Sequence, residues 1–146
     1  MPDYPFANLD AQLNPALLID KAALQANCTS GEFIVLDARS EARFLGLAPE
    51  PRPGLPSGHM PHSRSLPYDS LLKNGALKPA QELREMLAEM RLSQDSRVVT
   101  SCGSGVTAAV IALALVEAGW PMPALYDGAW AEWASASDTQ LLTEQD

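Results

Sequence analysis

Ser101-Cys102-Gly103-Ser104-Gly105-Val106-Thr107 places a thiol between two apolar runs of different kinds. Before it stands the short, β-branched Arg97-Val98-Val99-Thr100; after it, Val106 to Glu117 is almost unbroken Ala, Val, Ile and Leu. A strand that gives way to a helix through two glycines can turn successive backbone N–H groups inward and add the positive end of the helix, which makes a cradle for negative charge. Helix N-termini lower a cysteine pKa from about 8.5 toward roughly 3.5–7.5, so a thiol held there is stabilised as the thiolate. The chemistry expected is nucleophilic attack by sulfur. The competing reading is a small buried hydrophobe in a turn shaped by glycine alone; the polar character of this turn favours the reactive one.

The elements that must hold this turn follow a βα pattern. Ala16 to Ile19, Phe33 to Leu36, Ser65-Leu66, Val98 to Thr100 and Ala124 to Tyr126 are the strand candidates. Several are continuous apolar runs rather than alternating ones, as parallel strands covered on both faces require. Pro79 to Met90 predicts a surface helix, with proline in the first turn, Leu83, Met86, Leu87 and Met90 on one face and Glu82, Glu85 and Glu89 outward. Val106 to Glu117 has only Thr107 and Glu117 as polar side chains, which predicts a helix largely buried on the sheet and stopped at Gly119 before Pro121. The fold class expected is α/β, a small, mainly parallel sheet with helices on both faces. Residues 1–13 read as an extended arm, 14–136 as the catalytic domain and 137–146 as a polar tail. The long connection from Phe44 to Pro67 is stiffened by Pro49, Pro51, Pro53, Pro56, Pro61 and Pro67, and Arg39, Arg43, Arg52 and Arg64 cluster around it. In a chain of net charge −8, that local excess of guanidinium predicts an anionic ligand.

Composition narrows the function. At 146 residues and 47% hydrophobic the chain fits one domain with one filled core. Its acidic balance and lack of a basic run argue against nucleic acid or a membrane as partner. Asp3, Asp10 and Asp20 interrupt the first twenty residues, where a secretory leader would need a basic then apolar stretch, so a cytoplasmic location is expected. Cys28 and Cys102 form neither a disulfide framework nor a metal motif, and His59 and His62 have no neighbouring ligands at zinc spacing. Cys28 reads as an ordinary residue at a helix end.

Cys102 to Thr107, together with Leu36-Asp37-Ala38-Arg39, Arg43-Phe44, Pro49-Glu50-Pro51-Arg52, Gly58-His59-Met60-Pro61 and Tyr126 to Trp133, resembles the rhodanese superfamily. In order and spacing these pieces are similar to the carboxy-terminal catalytic domain of 3-mercaptopyruvate sulfurtransferases. The resemblance runs from about Asn14 to Trp133, and departs from the usual pattern at His62 and Ala129, where glycine and serine are usual. It implies a sulfurtransferase that needs no cofactor or metal. Cys102 would accept sulfur as a persulfide from a small anionic donor, 3-mercaptopyruvate or thiosulfate, and pass it to a thiol such as thioredoxin, to a small thiol, or to cyanide. It gives Arg43 and Arg52 the donor's carboxylate and keto oxygen, while Gly103, Gly105, Val106 and Thr107 form the cradle with Ser104. For Ser104 two roles stay open, a proton relay with the cysteine and a hydroxyl that caps the loop or helix. Thr107 is expected to close the loop through its own hydrogen bond, and Asp37, Arg39 and Gly58-His59-Met60-Pro61 to be structural. The relay aspartate of two-domain relatives comes from an amino-terminal domain outside this sequence, which leaves room for an amino-terminal rhodanese-like partner. Two further readings remain: a persulfide relay or binding module with little activity of its own, and a separated catalytic half. A cysteine phosphatase would need arginine where Ala108 stands.

Overall fold

In a computed structural model, which describes residues 10–144, five parallel strands form the central sheet. They are β1 (Leu18–Ile19), β2 (Ile34–Asp37), β3 (Ser63–Ser65), β6 (Val98–Ser101) and β7 (Ala124–Tyr126), in the order β1-β7-β6-β2-β3. The helices are α1 (Lys21–Ser30), α2 (Glu41–Phe44), α3 (Ala80–Glu89), α4 (Ala108–Glu117) and α5 (Ala129–Trp133). Successive residues of the middle strands feed opposite cores. Leu36 and Val98 pack with Leu83, Leu87, Ile111 and Leu115 from α3 and α4. Val35 and Val99 pack with Leu24, Tyr126, Trp130 and Trp133 on the other face. Burial on both faces is why these strands read as continuous apolar runs.

Several boundaries differ from the sequence reading. Ala16 does not open a strand: Asn14 caps a 3-10 turn at Pro15–Leu17, its side chain accepting from the Ala16 amide at 3.1 Å, so only Leu18–Ile19 pairs with β7. Pro79 stands at the cap of α3 rather than in its first turn. α4 begins at Ala108, and its burial is one-sided. Ala108, Ile111, Ala114 and Leu115 face the sheet, while Leu113 is 50% exposed and Val106, before the helix, 73%. An apolar helix laid on one sheet face still presents its back to water. The residues of the tail, described as far as Glu144, are tied down: His59 and Leu142 exchange backbone bonds of 2.8 and 2.9 Å, and the Glu144 amide donates to Leu45. Of the arm at residues 1–13, residues 1–9 lie outside the described residues. β4 (Leu72–Lys73) and β5 (Ala76–Leu77) make an unforeseen hairpin, closed by Asn74 and Gly75, both at positive φ. Asn-Gly is the sequence signal for such a turn. No helix among the described residues is long and apolar enough to cross a membrane.

Asn27 fixes α1 to β2. Its amide group, in a residue 1% exposed, donates to the Phe33 carbonyl at 2.9 Å and accepts from the Phe33 amide at 3.0 Å. Asn27→Ala leaves both backbone groups without partners and is expected to cost about 2–3 kcal/mol. Urea denaturation should show a lower midpoint with an unchanged slope; an unchanged midpoint would mean that the pair is replaced by water at no cost.

Candidate active site

β2 and β6 lie in register with Asp37 opposite Ser101, and the Ala38 amide donates to the Ser101 carbonyl at 2.9 Å. The chain leaving β2 through Arg39 therefore runs beside the chain leaving β6 through Cys102. This is the carboxyl end of the sheet, where parallel α/β folds gather their binding loops.

Arg39 is buried, and each of its three guanidinium nitrogens donates. Its Nε sits 3.1 and 3.0 Å from the two Asp37 carboxylate oxygens, and its Nη2 donates to Asp37 at 2.7 Å and to the Gly58 carbonyl at 2.6 Å. Nη1 donates to Glu50 Oε1 at 2.7 Å, and the guanidinium carbon lies 4.1 Å from the centre of the Trp130 ring. The expected structural salt bridge of Asp37 and Arg39 is thus present, widened to Glu50. Glu50 in turn holds Arg43, accepting from Nε at 3.2 Å and from Nη2 on its other oxygen. Arg43 consequently spends its side edge inside the protein and keeps its outer edge, Nη1 with the remaining Nη2 hydrogen, for a ligand.

Arg43 reaches the cysteine loop. A Cβ built on Gly103 would lie 2.9 Å from Arg43 Nη2, so a larger residue there would push that guanidinium aside. The loop is fastened from beneath by α5: the Trp130 amide donates to the Cys102 carbonyl at 2.8 Å and the Ala131 amide to the Gly103 carbonyl at 3.2 Å. Cys102 itself is 1% exposed and packs with the core, more enclosed than the sequence suggests for a reactive thiol. Its neighbours Gly103 and Ser104 line a cavity of about 350 Å³ together with Arg43, Arg52, Asp69 and Thr107.

The other predicted residues divide. Arg52 is exposed and lines the cavity, and among the described residues its side chain has no hydrogen-bond or ion-pair partner. Gly105 and Val106 do not line it; Gly105, at φ +85°, turns the chain against Asp127, and Val106 points to solvent. Their contribution to a cradle is through the backbone: no group among the described residues accepts from the amides of Gly103, Ser104, Gly105, Val106 or Thr107. Thr107 caps α4 by position but makes no side-chain cap bond, contrary to expectation, and the exposed Ser104 hydroxyl likewise satisfies no loop amide. Arg64 is directed elsewhere, onto the Met90 carbonyl, and Arg39 is consumed internally, so the four arginines of the connection are not four ligand groups. His59 stacks on Phe44 at 4.2 Å with its Nδ1 2.9 Å from the Phe44 carbonyl, and His62 contacts the Cys28 carbonyl, away from the cavity. Cys28 lies near the end of α1, and burial pushes its thiol pKa up, against reactivity. Four cavity residues went unnamed in the sequence reading, Ser40, Leu55, Tyr68 and Asp69; the last two lie on the 3-10 turn Tyr68–Leu71, which follows Pro67 and which no motif marked.

The chain is similar to known proteins over most of its length. The profile of the rhodanese-like domain family matches residues 20–136. Thiosulfate/3-mercaptopyruvate sulfurtransferase 2 of Arabidopsis thaliana is 39% identical over 132 residues, which cover 90% of this chain and 39% of that protein. The 3-mercaptopyruvate sulfurtransferase of Escherichia coli (strain K12) is 38% identical over 136 residues, covering 93% of this chain and 48% of its own length. The crystal structure of SseA from Escherichia coli, described as a 3-mercaptopyruvate sulfotransferase of rhodanese fold, superposes with a TM-score of 0.73 at 34% identity over 88% of this chain and 47% of that one. The chain thus spans less than half the length of these relatives.

Arg39→Ala would leave two buried carboxylates, Asp37 and Glu50, without their shared cation, and is expected to destabilise the fold by about 3–5 kcal/mol. Lys21→Ala removes the exposed pair with Asp138 and should change little. Equal shifts of the two denaturation midpoints would contradict the importance given to the buried cluster.

Proposed function

We propose that this chain, which belongs to the rhodanese-like domain family, transfers sulfane sulfur through Cys102, from 3-mercaptopyruvate to a thiol acceptor. The observation that carries this reading is one cavity joining the residues after Cys102 to Arg43 and Arg52. The relatives' names, which give mercaptopyruvate and thiosulfate as donors, support the same reaction class.

The Cys102 thiolate attacks the sulfur of the donor. A sulfur–sulfur bond forms, the carbon–sulfur bond breaks, and the electron pair leaves on carbon as the enolate of pyruvate, which then takes a proton. Arg52 and the outer edge of Arg43 meet the donor's carboxylate and keto oxygen, where developing charge gains from fixed guanidinium groups. The unpaired loop amides serve the persulfide's negative charge. An acceptor thiolate, of a small thiol or thioredoxin, then attacks the outer sulfur and leaves Cys102 as thiolate; cyanide would leave as thiocyanate. The exposed Ser104 hydroxyl is placed to touch a donor. A proton relay through it would be completed by a rhodanese-like partner domain.

Cys102→Ser is expected to abolish sulfur transfer and Cys28→Ser to leave most of it. Arg43→Ala and Arg52→Ala should each lower kcat/KM for mercaptopyruvate by roughly ten- to over a hundredfold, the loss of a charged hydrogen bond of about 1.5–3 kcal/mol. A coupled assay of pyruvate release decides. Activity retained in Cys102→Ser, or kinetics unchanged in both arginine variants, would overturn the reading; a wild-type chain that carries persulfide but turns over slowly would favour a relay module.

A further inference from the structure

The cavity contains a carboxylate that the sulfur-transfer chemistry does not use. Of the two acids in its wall, Glu50 is neutralised, both oxygens accepting from Arg39 and Arg43. Asp69 is not. It sits on the exposed 3-10 turn Tyr68–Leu71, across the cavity from no arginine close enough to pair, and none of the ion pairs or hydrogen bonds of the described residues includes its side chain. The same carboxylate also borders a shallow neighbouring groove where Glu41 adds a second acid.

The charge balance of the wall gives this residue a consequence. Arg39, Arg43 and Arg52 are set against Glu50 and Asp69, a surplus of one positive charge, and Asp37 behind Arg39 offsets even that. A ligand with one negative charge meets two available guanidinium groups and one opposing carboxylate. A ligand with two is repelled by Asp69 twice as strongly, because Coulomb energy scales with ligand charge.

We propose that Asp69 is a specificity-determining residue that shifts the cavity's choice toward a singly charged carboxylate donor and away from a dianion such as thiosulfate. This rests on the sulfur-transfer reading of the site and names what sets its choice of donor. Removing the acid raises the potential throughout the cavity, and the dianion gains more from that than the monoanion does. Since Asp69 is exposed the effect is screened by salt, which gives it a signature that a packing role lacks.

The test compares kcat/KM for thiosulfate and for 3-mercaptopyruvate in the wild type, Asp69→Asn, Asp69→Glu and Asp69→Lys, at low and high ionic strength. The ratio of thiosulfate to mercaptopyruvate should rise about five- to tenfold in Asp69→Asn and further in Asp69→Lys, stay near wild type in Asp69→Glu, and converge at high salt. A ratio that does not move in Asp69→Asn and Asp69→Lys overturns the proposal. If the wild type uses neither donor, the sulfur-transfer reading fails on its own, and calorimetric titration with pyruvate and with sulfate decides about Asp69. Sulfate gaining on pyruvate in Asp69→Lys supports its role. Equal changes for the two anions, or no binding of either, refute it.

Discussion

A guanidinium held almost out of water needs partners for its donors, and Arg39 is held from three separate parts of the chain. Asp37 belongs to the end of β2, Glu50 and Gly58 to the long connection, and Trp130 to α5. Desolvating the charge is costly and the return comes only from a complete set of partners, so the cluster forms as a unit or not at all. Its consequence lies one residue further out. Glu50, immobilised by Arg39, fixes the side edge of Arg43 and leaves that guanidinium against Gly103. The distance between a positive ligand group and the cysteine loop is in this way set by a buried ion cluster, not by the exposed loop itself.

The loop has a second support in α5. Trp130 and Ala131 donate to the carbonyls of Cys102 and Gly103, and Ala129, wholly buried just before them, holds φ at +55°. A left-handed residue other than glycine costs about 1–2 kcal/mol, so the surrounding packing sustains the turn against a local preference. His62 adopts the same φ, at the other position where the sequence departs from the rhodanese pattern. With the loop carbonyls bound below, its amides have no acceptor among the described residues and are open to a ligand's charge.

Much of the sheet was legible because strands buried on both faces must be apolar throughout, and Ile34 to Leu36 and Val98 to Val99 are. Ala16 misled because its apolar neighbours outweighed Asn14-Pro15, a turn signal that in fact decides the local conformation. The one-sided burial of α4 could not be read, since Ala, Val and Leu occupy both its faces and periodicity carries no contrast. The ion cluster was half legible. Asp37 and Arg39 are two apart in sequence, but Glu50 and Trp130 join them only through the fold, and nothing in the spacing distinguished Arg64, bound to a helix-end carbonyl, from Arg52, which lines the cavity. Asp69 was invisible for the same reason: its meaning lies in which side chains it faces.

The central claim is that Cys102 is the sulfur carrier of this cavity. It is tested most directly by treating the chain with 3-mercaptopyruvate, without acceptor, and following pyruvate released and sulfur gained on each cysteine peptide by mass spectrometry. One pyruvate per chain with one extra sulfur on the Cys102 peptide, lost again on adding a thiol, is the predicted result. Added sulfur on the Cys28 peptide, or pyruvate released with none retained on Cys102, would contradict it.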